Sequence, residues 1–328
     1  MPRVLVLSRS EVAEALPMGE CLEAMADVLG AHARGEVHQP LRSVSIPPAS
    51  DGFMGLMPAQ RGGERPLFSL KAVCVFPDNP GRGLDPHQGT VTLFDGTTGE
   101  PTAILDASAI TAIRTAAVSA LATRLLAADG ARRLAILGAG VQALAHLRAL
   151  LAVRDFESVA VYAPTRSHAE RLAGEAGTGV PVEMADSAES AVRGAEVVVT
   201  ATNSREPVLR REWLPPGTHL NAVGASAPTS RELDTATVAA CSLFADSRES
   251  VVNEAGEYQL AVHEGLIAGP EHIRAELGEV VAGLHPGRTD PGELTLFRSL
   301  GLAIEDMAAA ERAAANARAR GLGTDVEL

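Results

Sequence analysis

The pattern of apolar and polar positions changes texture partway along the chain. Over the first hundred residues, short apolar runs at 3–7 (RVLVL), 41–46, 68–76, 88–95 and 102–106 are divided by turns rich in Gly, Pro and Asp. The longest of these turns is PDNPGRGLDP at 77–86. Apolar runs bounded by such punctuation predict strands joined as an antiparallel sheet. Ser8 or Ser10 is placed to cap a helix after the first strand, because a serine oxygen accepts an otherwise unpaired first-turn amide. A long helix is predicted over 108–128, where Ala, Leu and Val recur at helical spacing. Beyond it, strands at 133–137, 158–162, 196–200, 218–223 and 242–246 alternate with helices at 141–152, 167–176 and near 187–193. That alternation predicts a parallel sheet covered on both faces. The tail from 296 to 318 reads as one alanine-rich helix, long enough to return to the first domain. The expected fold is therefore α/β: a doubly wound Rossmann sheet plus an α+β domain. The expected boundaries are 1–116, completed by a C-terminal helix at 305–328, and 117–304.

The strongest local motif is Gly138-Ala139-Gly140-Val141-Gln142-Ala143, directly after an apolar strand and opening a helix. Gly138 permits a sharp turn, Gly140 lets backbone amides approach a pyrophosphate, and Ala143 is small enough for helix and sheet to pack closely. The helix start adds N–H donors and partial positive charge. A glycine pattern alone is weak; the strand–turn–helix context gives it meaning. After the second strand of this domain comes Tyr162-Ala163-Pro164-Thr165-Arg166-Ser167, with no acid to take ribose hydroxyls. Thr165, Arg166 and Ser167 suit a 2′-phosphate instead, so NADP(H) is expected ahead of NAD(H).

Composition narrows the partners. The 328 residues are 46% hydrophobic but only 3% aromatic, so aliphatic side chains must fill the cores. A net charge of −13 argues against nucleic acid or an anionic membrane as the main partner. No apolar run approaches the ~20 residues of a spanning helix. Three scattered cysteines (Cys21, Cys74 and Cys241) form neither a disulfide frame nor a zinc site, and they fit a reducing, cytoplasmic setting. No metal motif is present: His263-Glu264-Gly265 lacks a second histidine at helical spacing. Within the apolar N-terminal part stand three cations, Arg42, Lys71 and Arg114. Each alone is an ordinary snorkelling residue. Together they suggest a pocket for a small carboxylate, since a cation buried among apolar residues needs an anion. His146 reads as a helix-face residue, Asp234 as a helix cap in RELD, and Asp306 as structural.

The chain also resembles the ornithine cyclodeaminase/mu-crystallin family. The resemblance rests on GLMPA (55–59), LKAV (70–73), HQGTVTLFD (87–95), ITAIRTAAVSALAT (110–123), ILGAGVQA (136–143), LNAVGAS (220–226), RELD (231–234), AELGEV (275–280) and TLFRSLGLAIEDMAAA (295–310), in order along nearly the whole chain. It implies a homodimer whose first domain binds substrate and whose middle binds the dinucleotide. It implies that Arg42, Lys71 and Arg114 hold the carboxylate of an imino or amino acid, with Met57 lining the pocket and His87 near the nicotinamide side. It further implies that Thr90, Gly140, Val141, Gln142, Thr202, Val223 and Leu300 lie against the cofactor. Cyclodeaminases of the family carry an Asp where this chain has Ser226, in VGAS, and a Glu where it has Gly55, before an expected LMP turn. At both places the chain is similar to the mu-crystallin-like ketimine reductases. The expected activity is NAD(P)H-dependent reduction of a cyclic ketimine carboxylate, with Lys71 and Arg114 in the catalytic site and Lys71 a candidate proton donor. The alternatives are an ornithine cyclodeaminase, and an NADP-binding protein without turnover.

Overall fold

The apolar opening RVLVL forms β1 (Arg3–Leu7) in a computed structural model that describes residues 3–48, 50–177 and 179–327. Ser8 is the N-cap of α1 (Arg9–Ala15), and its amide donates to the Glu11 carboxylate at 2.9 Å. A helix absent from the sequence reading follows, α2 (Met18–Ala33), burying Cys21, Leu22, Met25, Val28 and Leu29 at three- and four-residue spacing. Then come β2 (Val37–His38), β3 (Ser43–Ser45), β4 (Phe53–Arg61), β5 (Leu67–Val75), β6 (His87–Asp95), β7 (Pro101–Asp106) and α3 (Ala107–Leu126). The strand expected at 41–46 shrinks to Ser43–Ser45, between prolines at 40, 47 and 48 that lack a ladder donor. The long turn at 77–86 contains one 3-10 turn, Asn79–Arg82.

β4 corrects the sequence reading most. The sequence reading placed no strand here and expected a turn at LMP. The segment is instead a nine-residue strand paired along its whole length with β5. On its other edge β4 meets β3 at Met54–Leu56 and β2 at Gln60–Arg61, so Pro58 lies where no strand needs its missing N–H.

The chain divides into two units, one of Met1–Arg114 with Gly301–Leu328 and the other of Thr115–Leu300. The second unit contains β8 (Arg133–Leu137), α4 (Val141–Val153), β9 (Ser158–Tyr162), α5 (Arg166–Ala176), β10 (Val182–Met184), α6 (Ala188–Val192), β11 (Val197–Thr200) and β12 (His219–Ala222). After these come α7 (Thr235–Ala240), β13 (Ser242–Ala245), α8 (Arg248–Glu254), α9 (Gly256–His263), β14 (Ile273–Glu276), α10 (Leu277–Val281) and β15 (Thr295–Arg298). Its eight strands form a wholly parallel sheet in the order β10-β9-β8-β11-β12-β15-β13-β14. β8 and β11 are neighbours although the chain runs outward from β8 in one direction before returning. That reversal of strand order is where an α/β sheet opens a crevice at its carboxyl edge.

The first unit is completed by α11 (Ala303–Arg320) and β16 (Thr324–Glu327). The helix expected at 296–318, and placed at 305–328 in the domain assignment, is thus corrected. TLFR is a fully buried strand of the parallel sheet, and α11 begins only after Gly301, whose φ of +83° interrupts any continuous helix. The last residues then pair as β16 with β1. The first unit's sheet runs β16-β1-β7-β6-β5-β4-β2, with β3 also on β4, and is antiparallel except for β1–β7. On its inner face Met57, Lys71 and Val91 stand opposite one another across β4, β5 and β6, and α11 packs on these three strands.

Among the described residues one helix, α3, is long and apolar enough to cross a membrane, where the sequence reading saw no such run. Most of its apolar window is buried within the protein, as in the core helix of a folded domain.

Candidate active site

In the first unit, the inner sheet face brings three sequence-predicted cations together. Lys71 projects from the middle of β5, and Arg114 from α3; each is only 4% exposed. Arg42 enters from the segment before β3 and donates to the Gly301 carbonyl at 3.0 Å. Two acids at the start of α11 meet them. Lys71 Nζ lies 2.7 Å from Asp306 Oδ2, Arg114 Nε donates to Asp306 Oδ1 at 2.9 Å, and Arg114 Nη1 donates to Glu305 Oε2 at 2.6 Å. Met57 is directly opposite Lys71 on β4 and buried.

The sequence reading assigned the balancing anion to substrate. The structure corrects this: Lys71 and Arg114 have partners inside the chain, in Asp306 and Glu305. Four opposed buried charges are tolerable because each carboxylate meets a cation at hydrogen-bond distance, and removing one partner would strand the other. Asp306 is therefore part of the cation cluster, not only a structural residue of the last helix. Two adjacent acids opening an otherwise apolar, alanine-rich helix were the signal for it in the sequence. Gly301 was a second missed position. A Cβ there would sit 2.7 Å from Arg114 Nη2 and 2.8 Å from Nη1, so the guanidinium uses the space a side chain would fill.

Electrostatics make the cluster responsive. Burial pulls the Lys71 ammonium down to about 8, aided by the Arg114 and Arg42 charges and opposed by Asp306. Burial pushes the Asp306 carboxyl up, but Arg114 and Lys71 outweigh it and hold the group below the ordinary range. Lys71 can thus be an ammonium in neutral solution yet release its proton without a large penalty.

The remaining candidates of this unit lie outside the ion-paired cluster, although His87 shares the Lys71 face of the sheet and feels the Lys71 charge. His87 begins β6, with its amide bonded to Asp85 Oδ1 at 2.8 Å and its carbonyl accepting the Ser108 hydroxyl. Thr90 is exposed on β6, opposite Ala72, on the other sheet face from Lys71. Gly55 is buried in β4, and a Cβ built there would make only ordinary contact with Val73.

In the second unit, the predicted cofactor residues gather at the carboxyl ends of the strands. Gly138 has φ +122°, and a Cβ there would lie 2.4 Å from the Ala201 carbonyl, so the turn after β8 admits only glycine. Gly140 is the N-cap of α4 and supplies no capping side chain; Val141 beside it is 60% exposed, so the first-turn amides face an open approach. These features fit a pyrophosphate. Gln142 uses its carbonyl to accept from His146 Nδ1 at 2.7 Å, while Nε2 meets Ser119 Oγ at 2.9 Å. His146 is wholly buried and braces the glycine helix, where the sequence reading put it on a helix face. Thr165 is the N-cap of α5, and Arg166 next to it is exposed, held by Glu170 at 3.2 Å. Thr202 follows β11, Val223 and the exposed Ser226 follow β12, and Leu300 follows β15. Asp234 is the N-cap of α7, accepting from the Thr237 amide at 2.9 Å. No group of three or more His, Cys, Asp or Glu among the described residues is placed to hold a metal.

The profile of the ornithine cyclodeaminase/mu-crystallin family matches residues 3–321. The chain belongs to that family. It is 41% identical to the mouse ketimine reductase mu-crystallin over 277 residues, 84% of each chain. Among solved structures it is similar to a Thermococcus litoralis Delta(1)-pyrroline-2-carboxylate reductase in complex with NADH and L-proline. The TM-score is 0.95 and the identity 37%, over 98% of this chain and 100% of that one. It is similar also to an archaeal alanine dehydrogenase dimer with bound NAD, with a TM-score of 0.93 and 33% identity over 99% of both chains. As a member of this family the chain shares the α/β architecture of these NAD-binding relatives.

Proposed function

We propose that this family member reduces a cyclic ketimine carboxylate, of the pyrroline-2-carboxylate or piperideine-2-carboxylate type, to the cyclic L-amino acid with a nicotinamide cofactor. The observation that carries this reading is the convergence of Arg42, Lys71 and Arg114 on the inner sheet face beside Asp306. Cations gathered on one buried sheet face are the chemistry that would receive a substrate carboxylate. The mouse ketimine reductase and the T. litoralis pyrroline-2-carboxylate reductase, both more than 30% identical, support it.

Arg42 and Arg114 would fix the carboxylate, and Lys71 would hold a proton at Nζ for the imine nitrogen. A protonated C=N is the better hydride acceptor, and fixed orientation can supply several kcal/mol of rate. Bound dinucleotide supplies the hydride. The glycine turn of Gly138 and Gly140 with the α4 amides would hold its pyrophosphate. Thr165 and Arg166 are assigned to a 2′-phosphate, giving NADP(H) preference over NAD(H). Ser226 and Gly55, where cyclodeaminases of the family carry acids, favour reduction over cyclodeamination.

A homodimer is part of the same reading. Met54, Phe68, Val44 and Ile46 are 42%, 47%, 50% and 70% exposed on the first unit, an apolar surface of the kind that a second subunit covers. The archaeal alanine dehydrogenase dimer supports it.

The test is a panel of cyclic imino acids assayed with NADPH and with NADH. Oxidation of the cofactor only when a ketimine is supplied is the expected result; ammonia release from ornithine with no net cofactor consumption would instead identify a cyclodeaminase. In the same assay, Arg166→Asp should shift the NADPH/NADH ratio of kcat/KM toward NADH by tenfold or more, roughly the value of a charge-assisted contact. An unchanged ratio would remove Arg166 from the phosphate site.

A further inference from the structure

Under the carboxyl ends of four adjacent strands of the parallel sheet lies a set of buried charged side chains that the reaction itself does not use. Glu232, wholly buried, divides its carboxylate between two loops. Its Oε1 accepts the Thr202 amide at 2.6 Å and the Thr202 hydroxyl at 2.9 Å, just after β11. Its Oε2 accepts the Thr200 hydroxyl at 2.9 Å, at the end of β11, and the Gly224 amide at 2.7 Å, just after β12. The backbone of Glu232 is itself fixed, because its carbonyl accepts the amides of Val208 at 2.8 Å and Leu209 at 3.1 Å. Gly224 has no room for a side chain: a Cβ would lie 2.0 Å from the Thr202 carbonyl and 2.5 Å from Glu232 Oε1. Further along the edge, Arg298 at the end of β15 donates to the Ala222 carbonyl at 3.0 Å and to the Ala225 carbonyl, and it is ion-paired with Glu257 at 2.7 Å. Asp246, after β13, accepts the Leu300 amide at 2.5 Å.

Backbone groups at strand ends have lost their ladder partners and must be satisfied some other way. An isolated buried carboxylate is an expensive means of doing so. Here one carboxylate receives four donors and ties two loops at a fixed separation. The loops tied are those carrying Thr202 and Val223, and the Thr202 loop abuts the glycine turn through the Ala201 carbonyl that excludes a side chain at Gly138. In a doubly wound sheet, the half beginning with the glycine turn takes the adenosine side of a dinucleotide and the half beyond the reversal takes the nicotinamide side. β11 and β12 belong to the latter half.

We propose that Glu232 is a positioning residue for the nicotinamide half of the cofactor, setting the separation of the Thr202 and Gly224 loops without touching the dinucleotide. The inference rests on the cofactor reading above and not on the identity of the imino acid. It distinguishes the two halves of the ligand, which a role in stability alone would not do. Binding of NADPH and of its nicotinamide-free counterpart, ADP-ribose 2′-phosphate, is measured on wild type, Glu232→Gln and Thr200→Val, with NADH and ADP-ribose run in parallel. Thermal melts first establish that each protein is folded at the assay temperature. Glu232→Gln turns an amide NH2 toward donors and should weaken NADPH and NADH at least tenfold, while the nicotinamide-free ligands change less than twofold. Thr200→Val removes one donor with its shape kept, and should show the same split at about threefold; it decides the matter if Glu232→Gln does not fold. Unchanged affinity for all four ligands, or equal losses for dinucleotides and nicotinamide-free ligands, overturns the proposal. A wild type that binds no dinucleotide overturns this proposal and the cofactor reading together. One that binds it but reduces no ketimine overturns only the catalytic reading.

Discussion

The most consequential residues are ones whose charges are balanced inside the protein. Lys71 and Arg114 are buried, and each is held by an acid from the first turn of α11. Lys71 is consequently a group whose proton can be gained or lost near neutrality, at about 8, and not a permanent cation. In the proposed reaction its charged form is the one that would grip the carboxylate and offer a proton. The kcat/KM for the imino acid should therefore be constant below pH 8 and fall tenfold per pH unit above it. Asp306 raises the affinity of Lys71 for its proton. In Asp306→Asn the falling limb should move to lower pH, and in Lys71→Met it should vanish with most of the activity. A pH–rate profile of the three proteins checks this; a limb that stays put in Asp306→Asn would break the link between the pair.

At the scale of elements, strand β12 illustrates how a buried parallel strand can hide polar groups. His219 and Asn221 are wholly buried in it, with His219 Nδ1 at 2.9 Å from Thr295 Oγ1 of β15. Burial holds His219 down to about 3 and His146 down to about 4. The unfolded chain takes up these protons near pH 6.5 while the folded one does not. Stability from the two neutral rings is therefore complete above pH 6.5 and is lost as pH falls from there toward the folded values. Denaturant unfolding should show a protein about 2 to 3 kcal/mol less stable at pH 5.5 than at pH 7.5. His219→Gln should remove about half of that difference, even if its overall stability is lower. A pH difference unaltered by the substitution would show that His219 is already charged in the folded state.

For the whole molecule, the outer face of the first unit's sheet sets the expected assembly. Met54, Leu56, Phe68, Leu70 and Cys74 alternate with the inward residues of β4 and β5 and are exposed or half-buried. An apolar sheet face of this kind is otherwise an aggregation hazard. Light scattering coupled to gel filtration should give twice the chain mass. The double substitution Met54→Arg with Phe68→Arg should give a monomer that still binds dinucleotide; a monomeric wild type would refute the dimer.

Much was legible from short-range pattern. Strand, glycine turn and helix at 133–152 follow from apolar run, required positive φ and helical spacing, all local properties. The three cations were visible as charges in apolar surroundings. What local pattern could not express is which distant segment completes a site. β4 was hidden because Gly55 and Pro58 weaken a strand in isolation; only tertiary pairing makes them harmless, with Gly55 held between Val44 of β3 and Val73 of β5 and Pro58 in the gap between β2 and β3. TLFR continues a helical pattern with the residues after it, and only the vacancy between β12 and β13 makes it a strand.

Sequence alone determined the two kinds of sheet, the glycine turn and the family, because periodicity, backbone freedom and ordered motifs are written residue by residue. Tertiary structure alone decided that Asp306 and Glu305 answer Lys71 and Arg114, and that Glu232 bridges two strand ends. Pairing energies between charges depend on distance and burial, and residues 191 or more positions apart acquire both only when the chain has folded.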